Sequence, residues 1–414
     1  MNFITPESEV QAQPSLAEYS DSHSADLVAG LPAPENKQFY PALDGLRALA
    51  VLLVFYSHYS LSPRPGLAWG WTGVNIFFVL SGFLITGILY DTRNSAYRFR
   101  NFYVRRTLRI FPLYYGILLI TLLLYPIFRW EWHPTWFMWP LYISNYSRFI
   151  WMPAYINGSG IVECLRSTRQ FHPPFLLLFG HFWSLAAEEQ FYLVWPLVVF
   201  LVKDRIWLRN ICLSACILTP LVRLACFHLI PHVYIDNELL YRITPFRADG
   251  FLLGGLITLM LRGPESRWLF KLLRPAFYFL IAGIVVSEII YRSHMHHFIY
   301  SANTPTLSSI GYSIINLFCA FLILLSLEPG SFFYRLFTLR PLHRLGQMSY
   351  GFYVFHNVPI CAYILLVAHF YKKSGPAFTY LVALVGFIFS LALSYLSYRF
   401  YETRFLRLKD RFTV

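Results

Sequence analysis

Charged residues are scarce in this sequence. Only 13% of the 414 residues are charged, whereas 57% are hydrophobic and 19% are aromatic. Soluble domains contain about 25% charged and about 45–50% apolar residues, so too few polar side chains are present here to cover a water-facing surface. The composition excludes an ordinary soluble enzyme and a disordered regulatory chain. It predicts an all-α polytopic membrane protein.

Acidic residues are the rarer charged class, with 21 Asp and Glu against 34 Lys and Arg and a formal net charge of +13. In a membrane protein such an excess marks the cytoplasmic loops. We therefore interpret the charge as a signal of topology and expect no nucleic-acid partner.

Cysteines are few as well, six in all, and most of them lie in apolar runs. The sequence has no CxxC pair and no Cys/His spacing typical of a metal site. The triple His294, His296 and His297 lacks a fourth ligand at a known spacing. We expect packed, unpaired thiols, no bound metal and no tightly bound cofactor.

Long apolar runs dominate the chain. About 20 apolar residues cross a bilayer core, and ten runs are candidates: 46–64, 70–90, 110–128, 183–202, 208–230, 244–261, 273–291, 307–327, 346–370 and 377–399. Segment 92–109 holds six arginines and no acidic residue, so we place it in the cytoplasm. About ten transmembrane helices with both termini cytoplasmic then put the other basic segments on the same side. We expect a multi-pass protein of the plasma (inner) membrane.

The remaining segments set the domain organisation. Residues 1–38 are polar and lack both periodicity and a basic start followed by an apolar run, so we expect a disordered cytoplasmic tail and no signal peptide. Residues 39–402 form the transmembrane domain, in which 129–182 is a long outer loop with a re-entrant course as one option. Residues 403–414 form a basic cytoplasmic tail.

The first span contains Asp44, Arg47 and His58. A charge in mid-membrane costs at least ~2.5–3.5 kcal/mol, so each one needs a reason. Arg47 and His58 are eleven residues apart, which is three helical turns plus about 20°, and they therefore share one face with a rise of ~16 Å. A neutral imidazole can exchange a proton or accept an acyl group. The alternative for His58 is a hydrogen bond between helices.

The next two spans add small and cationic side chains. Ser81 and Gly82 allow close approach of a ligand, or simply pack helices together. Arg105, Arg106 and Arg109 are spaced by three and four residues and form a one-sided cluster at a helix start. Such a cluster suits phosphates, but anionic lipid headgroups would bind it too.

The fourth span begins with an unusual polar stretch. Ser184, Glu188 and Tyr192 follow steps of four residues along one helix face, with His181 one turn earlier. Two adjacent carboxyls, Glu188 and Glu189, are costly in an apolar helix unless they are protonated, paired or lining water. A functional site and a structural ion pair are both open at this point.

Further polar residues occur in later spans. Arg247 and Asp249 lie at the outer end of the sixth span, and Ser349, Tyr353 and His356 share one face of the ninth. Each set predicts either a polar contact between helices or part of the wall of an aqueous cavity.

Four ordered motifs give the chain a resemblance to the acyltransferase 3 family of integral-membrane O-acyltransferases, over nearly all of residues 39–402. The motifs are Leu43-Asp44-Gly45-Leu46-Arg47 with His58, Phe77-Phe78-Val79-Leu80-Ser81-Gly82-Phe83-Leu84, Phe102-Tyr103-Val104-Arg105-Arg106-Thr107-Leu108-Arg109-Ile110-Phe111-Pro112, and Trp183-Ser184-Leu185-Ala186-Ala187-Glu188-Glu189-Gln190-Phe191-Tyr192. The family's Gly-Val-Asp is Gly73-Val74-Asn75 here, which removes a carboxylate from that position. Some members continue into a soluble extracytoplasmic domain; we expect no such fused domain in this chain.

The resemblance implies transfer of an acyl group, usually acetyl, from cytoplasmic acyl-CoA to a hydroxyl of a glycan or other envelope or secreted acceptor. The residues implied for donor binding are Arg105, Arg106 and Arg109 for the CoA phosphates, Arg47 at the cavity mouth, and Phe78, Ser81 and Gly82 for the pantetheine slot.

The chemistry implied by the resemblance centres on His58, which either removes the acceptor proton or carries the acyl group. Glu188 or Glu189 orients the histidine or relays the proton. Supporting roles are expected for Asp44, Ser184, Tyr192, Arg247, Asp249 and His356. The alternatives are a transporter or flippase that exports a polar molecule through the same cavity, and an inactive scaffold.

Overall fold

The computed structural model describes residues 40–59, 69–128, 134–147, 179–229, 238–295 and 307–412, and the regular structure in these ranges is helical. The α-helices are α1 (Pro41–Tyr59), α2 (Thr72–Asp91), α3 (Arg98–Leu123), α4 (Tyr125–Phe128), α5 (Trp183–Leu201), α6 (Arg205–Leu229), α7 (Glu238–Arg242), α8 (Ala248–Leu261), α9 (Ser266–Met295), α10 (Tyr312–Leu327), α11 (Phe332–Phe337), α12 (Arg340–Gln347), α13 (Ser349–Phe355), α14 (Ile360–Leu396) and α15 (Thr403–Leu408). The shorter turns are 3₁₀ turns at Pro134–Met138, Ser144–Tyr146, Gly180–Phe182, Thr244–Arg247 and Lys409–Arg411, and π-helical turns at Leu307–Gly311 and Ser397–Glu402.

Seven helical segments within the described ranges are long and apolar enough to cross a bilayer. They are Trp69–Asp91, Arg98–Ile127, Gly180–Leu201, Arg205–Leu229, Ser266–Ile290, Ser308–Leu327 and Ala377–Leu408. This finding supports a multi-pass membrane protein. The number of ten spans and the cytoplasmic position of both termini stay predictions.

The predicted spans 46–64 and 244–261 are missing from these seven, and the helices at these positions show why. Helix α1 contains Asp44, Arg47 and His58 within its 19 residues, and α8 has only 14 residues. The predicted break at 371–376 is wrong, because α14 is one continuous helix of 37 residues. The apolar runs 346–370 and 377–399 predict two separate spans, but the polar residues between them continue the same helix.

Part of the predicted outer loop 129–182 lies against the bundle. In its described portion, residues 134–147, the side-chain amide of Gln190 on α5 donates to the Tyr142 carbonyl oxygen at 2.8 Å and to Asn145 Oδ1 at 2.9 Å. The buried Trp139 indole donates to the carbonyl oxygen of Phe179 at 3.0 Å. Residues 129–133 and 148–178 of the loop lie outside the described residues.

Helices α2 and α8 pack with their backbones in contact. A methyl group added at Gly82 would lie 1.7 Å from the carbonyl oxygen of Phe251, and one added at Gly254 would lie 2.0 Å from that of Val79. Small residues allow such close packing of helices in membranes. This contact fixes the position of α2, which carries Phe78 and Ser81.

We expect Gly82→Ala to destabilise the folded protein by about 1–3 kcal/mol, because overpacking at a backbone contact forces the two helices apart. The thermal unfolding midpoint in detergent measures the effect. Gly283→Ala is the matched control, since nothing lies within 4 Å of the added methyl group there. Equal midpoints for the two variants would contradict the contact between α2 and α8.

The two ends of the bundle differ in character. One end, which we call the arginine-rich end, contains the starts of α1 and α3, the ends of α2 and α8, and α15. There Arg262 pairs with Asp91 at 2.5 Å, and Arg105 donates to the carbonyl oxygens of Lys409 and Phe412 at 3.3 and 3.0 Å. The predicted basic tail therefore packs against α3 as far as residue 412. The opposite end, the histidine end, contains the end of α1, the start of α5 and the end of α13.

Candidate functional site

An open cavity with about 780 Å³ of unfilled space lies between α1, α2, α3, α5 and α13. We call it the inner cavity. Its wall combines cations, carboxylates, hydroxyls and aromatic rings, and includes Arg47, Phe78, Ser81, Arg106, Arg109, Ser184, Glu188, Glu189, Tyr192, Tyr350 and Tyr353.

A second open cavity, the mouth cavity, lies towards the arginine-rich end and has about 1020 Å³ of unfilled space. Its wall includes Tyr40, Asp44, Gln347, Tyr398, Glu402 and Lys409. The two cavities share Arg47, Leu84, Arg109 and Tyr350, so they adjoin one another. Together they form a passage from the arginine-rich end into the middle of the bundle.

The cations of this passage are held in place by neighbouring side chains. Arg47 donates to Asp44, one turn earlier on α1, at 2.5 Å. The Arg106 guanidinium lies over the Tyr192 ring, 4.4 Å from its centroid. Arg109 lines both cavities, whereas Arg105 is bonded to the carbonyl oxygens of the C-terminal turn. Two of the three clustered arginines thus face the passage.

The two adjacent glutamates have different surroundings. Glu188 accepts a hydrogen bond from Ser81 Oγ at 2.9 Å and one from the Tyr192 hydroxyl at 3.1 Å. The Oε1 atom of Glu189 is buried and has no hydrogen-bond partner within the described ranges. A carboxylate oxygen left without a partner is costly. Glu189 is therefore the carboxylate with bonding capacity for a molecule that enters the cavity.

Three imidazoles meet at the histidine end, and we call them the histidine cluster. The ring centroids are 4.9 Å apart for His58 and His356, 4.6 Å for His181 and His356, and 6.5 Å for His58 and His181. His58 Nδ1 lies 2.9 Å from the Val54 carbonyl oxygen, and His356 Nδ1 lies 2.6 Å from that of Tyr353. A carbonyl oxygen only accepts, so both Nδ1 atoms carry the proton and both Nε2 atoms keep a lone pair in the neutral ring.

A pair of hydroxyl groups separates the inner cavity from the histidine cluster. Ser184 Oγ and the Tyr353 hydroxyl are 2.5 Å apart, and the Tyr353 hydroxyl donates to the His181 carbonyl oxygen at 2.9 Å. Both side chains line the inner cavity, while the Tyr353 ring lies 5.4 Å from that of His356. This Ser184–Tyr353 pair is the layer between the cavity and the imidazoles.

The structure does not bring all predicted site residues to one place. Arg47 lines the passage, but His58 lies beyond the Ser184–Tyr353 pair, where it is exposed and lines neither cavity. Within the described residues, the recorded neighbours of His58 include His181 and His356 but neither glutamate. Gly82 packs against Phe251, as the packing alternative predicted, while Phe78 and Ser81 line the cavity.

Arg247 and Asp249 lie next to one another at the start of α8 and line neither cavity. The Arg247 guanidinium lies over the Phe78 ring, which does line the inner cavity, at 5.5 Å from its centroid. Asp249 accepts from Arg223 through both carboxylate oxygens, at 3.1 and 3.0 Å. Sequence reasoning missed Arg223, whose position in an apolar run was the available signal. It also missed Lys409, because only tertiary packing brings α15 to the mouth cavity.

No group of three or more His, Cys, Asp or Glu side chains in the described part of the chain is arranged to hold a metal ion. The cysteines that the structure records as free thiols are Cys212, Cys216, Cys226 and Cys319. The chemistry available in these residues is that of cations, carboxylates, hydroxyls and imidazoles.

The sequence is similar to known acyltransferases. A sequence model described as Acyltransferase domain matches residues 40–399. The O-acetyltransferase OatA of Staphylococcus aureus is 28% identical over 375 residues, which are 89% of this chain and 57% of that protein. The peptidoglycan O-acetyltransferase OatA of Listeria monocytogenes is 29% identical over 393 residues, 89% of this chain and 56% of that protein. The chain thus spans little more than half the length of these relatives. No solved structure is significantly similar.

Proposed function

The chain belongs to the Acyltransferase domain family, and on that premise we propose that it is a plasma-membrane O-acyltransferase that moves an acetyl group from acetyl-CoA to a hydroxyl of an envelope glycan. The observation that carries this proposal is the passage of two cavities, which begins among arginines and ends at a hydroxyl pair beside three imidazoles. The acetyl group and the glycan acceptor are also supported by the names of the relatives.

The donor enters from the arginine-rich end, which we place in the cytoplasm. Arginine binds phosphate through two parallel hydrogen bonds, and a lysine adds a point charge. Arg109, Arg47 and Lys409 line the mouth cavity and bind the CoA phosphates there. The pantetheine arm then extends along Phe78 and Ser81 in the inner cavity, with the thioester towards the Ser184–Tyr353 pair.

The acceptor approaches from the histidine end, where His58 is exposed. Because its Nδ1 proton is held by the Val54 carbonyl, its Nε2 lone pair is positioned to remove a proton from a hydroxyl group. The same lone pair would attack the thioester if His58 carries the acyl group first. Both routes place His58 between the acceptor and the end of the inner cavity.

The bond changes balance without a further reactant. The acceptor O–H bond and the thioester C–S bond break, and the ester C–O bond and the S–H bond of CoA form. His58 takes the acceptor proton and releases it to water at the histidine end. The thiolate takes a proton from Glu188 or Glu189, which line the cavity where the sulfur is released. That glutamate regains a proton from water through the passage, so one proton is released and one is taken up in each turnover. The acetyl group passes the Ser184–Tyr353 pair in the same turnover.

The direct test is acetyl transfer by the purified protein in nanodiscs, with acetyl-CoA labelled in the acetyl group and a soluble envelope glycan as acceptor. We expect a mass increase of one acetyl unit on the glycan together with release of free CoA thiol. We also expect CoA to raise the thermal midpoint, because a ligand that binds only the folded state stabilises it. A transporter would show neither thiol release nor glycan acetylation, and an inactive scaffold would bind CoA without turnover.

A further inference from the structure

The guanidinium of Arg247 is buried, and its positive charge has no hydrogen-bonded counter-ion among the described residues. Its side chain is 0% exposed, and Nε, Nη1 and Nη2 have no hydrogen-bond partner among the residues that the structure describes. The nearest recorded groups are aromatic faces, with ring centroids at 4.8 Å for Tyr312, 5.0 Å for Tyr241 and 5.5 Å for Phe78. Aromatic faces attract a cation, but they do not replace the hydrogen bonds that a guanidinium makes in water. Burial of a charge without hydrogen bonds is unfavourable.

The neighbouring carboxylate does not supply the missing partner. Both oxygens of Asp249 are engaged by Arg223, and Oδ2 also accepts from Ser313 Oγ at 2.5 Å. Two guanidinium groups therefore lie near one carboxylate, and only Arg223 is hydrogen-bonded to it. The N–H donors of Arg247 have no acceptor in the described part of the chain.

The surroundings of Arg247 are aromatic and largely buried, with Trp183 6% and Tyr312 4% exposed. Tyr241 contacts the rings of Trp71, Trp183 and Tyr312 at centroid distances of 5.9, 4.8 and 5.5 Å. A second guanidinium, Arg242, lies over the Trp183 ring at 5.6 Å. Ligand sites of this kind are mostly apolar and aromatic, with a few polar groups that fix orientation. We call these four rings and two arginines the outer cluster.

The outer cluster lies next to the proposed site of acceptor chemistry. Arg242 donates to the carbonyl oxygen of Gly180 at 3.4 Å, one residue before His181. Trp183 also immediately precedes Ser184 of the hydroxyl pair. A molecule that packs on these rings therefore has its hydroxyls within reach of the histidine cluster.

We propose that the outer cluster binds the acceptor, and that this acceptor is an acidic glycan whose carboxylate or phosphate is bound by Arg247. This inference rests on the proposed function and adds the charge of the acceptor to it. Sugar rings pack on the aromatic faces, and the anionic oxygens accept two parallel hydrogen bonds from the guanidinium. Tyr241 covers the guanidinium from the five-residue helix α7, so a small shift of that helix admits the anion.

The test compares matched acceptors with the purified full chain and acetyl-CoA. The probes are a soluble oligosaccharide with one free sugar carboxylate per disaccharide, the same oligosaccharide as its primary amide, and that amide with a phosphate at the reducing end. One charge-assisted pair contributes about 1.5–3 kcal/mol, so we expect kcat/KM for the acid to exceed that for the amide by about 10–100-fold. Recovery of activity with the phosphorylated amide would assign the anion to phosphate.

Substitutions of Arg247 and Arg242 test which side chain causes the preference for the acidic acceptor. We expect Arg247→Gln to reduce the preference for the acid over the amide to less than about 3-fold, while KM for acetyl-CoA and the CoA-induced thermal shift stay unchanged. Arg274→Gln is the control, because Arg274 is an exposed arginine paired with Glu328 at the arginine-rich end. If Arg247→Gln does not fold, Arg242→Gln, at a partly buried position, serves instead and should weaken the same preference.

Three results distinguish a failure of the acidic-acceptor proposal from a failure of the proposed O-acyltransferase function. Equal kcat/KM for acid and amide with the unsubstituted protein would overturn the inference and leave the proposed function standing. If the preference for the acid persists in Arg247→Gln, Arg247 does not bind the anion of the acceptor. Absence of acetylation of every glycan would instead contradict the proposed function itself.

Discussion

Replacement of His58 by alanine is expected to lower acceptor acetylation by at least about 100-fold, with little change in CoA binding. General base catalysis contributes about 10²–10⁴-fold, and the Nε2 lone pair of His58 is the exposed basic nitrogen of the histidine cluster. Because His58 lines neither cavity, its removal should leave the donor site intact. The measurement is the initial rate of acetyl transfer at saturating acetyl-CoA, together with the CoA-induced thermal shift.

His228→Ala provides the control for this experiment. His228 also lies in the last turn of a helix, at the end of α6, and its recorded ring contact is with Phe227 rather than with the histidine cluster. It should retain the full rate. Full activity in His58→Ala would remove the central residue from the mechanism, whereas a lost thermal shift would mean that the substitution damages the fold.

Replacement of Arg109 by alanine should have its effect on the donor. Arg109 lines both cavities, at the point where the mouth cavity adjoins the inner cavity and where the proposed donor would pass. Loss of one charge-assisted contact costs about 1.5–3 kcal/mol, so we expect the Kd for CoA to rise by about 10–100-fold. Thermal shifts over a series of CoA concentrations, or calorimetry in detergent, measure this change.

Arg93→Ala is the matched comparison for Arg109→Ala. Arg93 belongs to the same arginine-rich segment, but it donates to the Tyr90 carbonyl oxygen, lies over the Tyr90 ring and lines neither cavity. It should bind CoA as the unsubstituted protein does. Equal losses in the two variants would mean that the arginines act through overall charge, as they would towards anionic lipid, and would contradict a defined phosphate site.

Local sequence predicted the helical class and much of the cavity wall. Steps of three and four residues place side chains on one helix face, and Ser184, Glu188 and Tyr192 do line the same cavity. The position of Arg47 and His58 on one face of α1 was equally well defined. What spacing could not show is that a layer formed by α5 and α13 lies between the two.

The histidine cluster and the outer cluster depend on tertiary packing. His58, His181 and His356 come from three segments that are distant in sequence, and a single chain gives no signal that their ends meet. The same holds for Arg223 and Asp249, which sit on α6 and α8. The runs 346–370 and 377–399 predict two spans because the residues between them are less apolar, whereas the structure continues one helix through them.

The thinness of the Ser184–Tyr353 layer has an electrical consequence. With an open passage on one side and an exposed imidazole on the other, the insulating part of the protein is narrowed to about one pair of side chains. Most of the transmembrane voltage then falls across this short distance, where each elementary charge experiences about 2.3 kcal/mol per 100 mV. In the proposed transfer the thiolate takes up a proton on one side and the acceptor loses its proton on the other. Each turnover therefore moves one positive charge across this layer, and an inside-negative voltage opposes it.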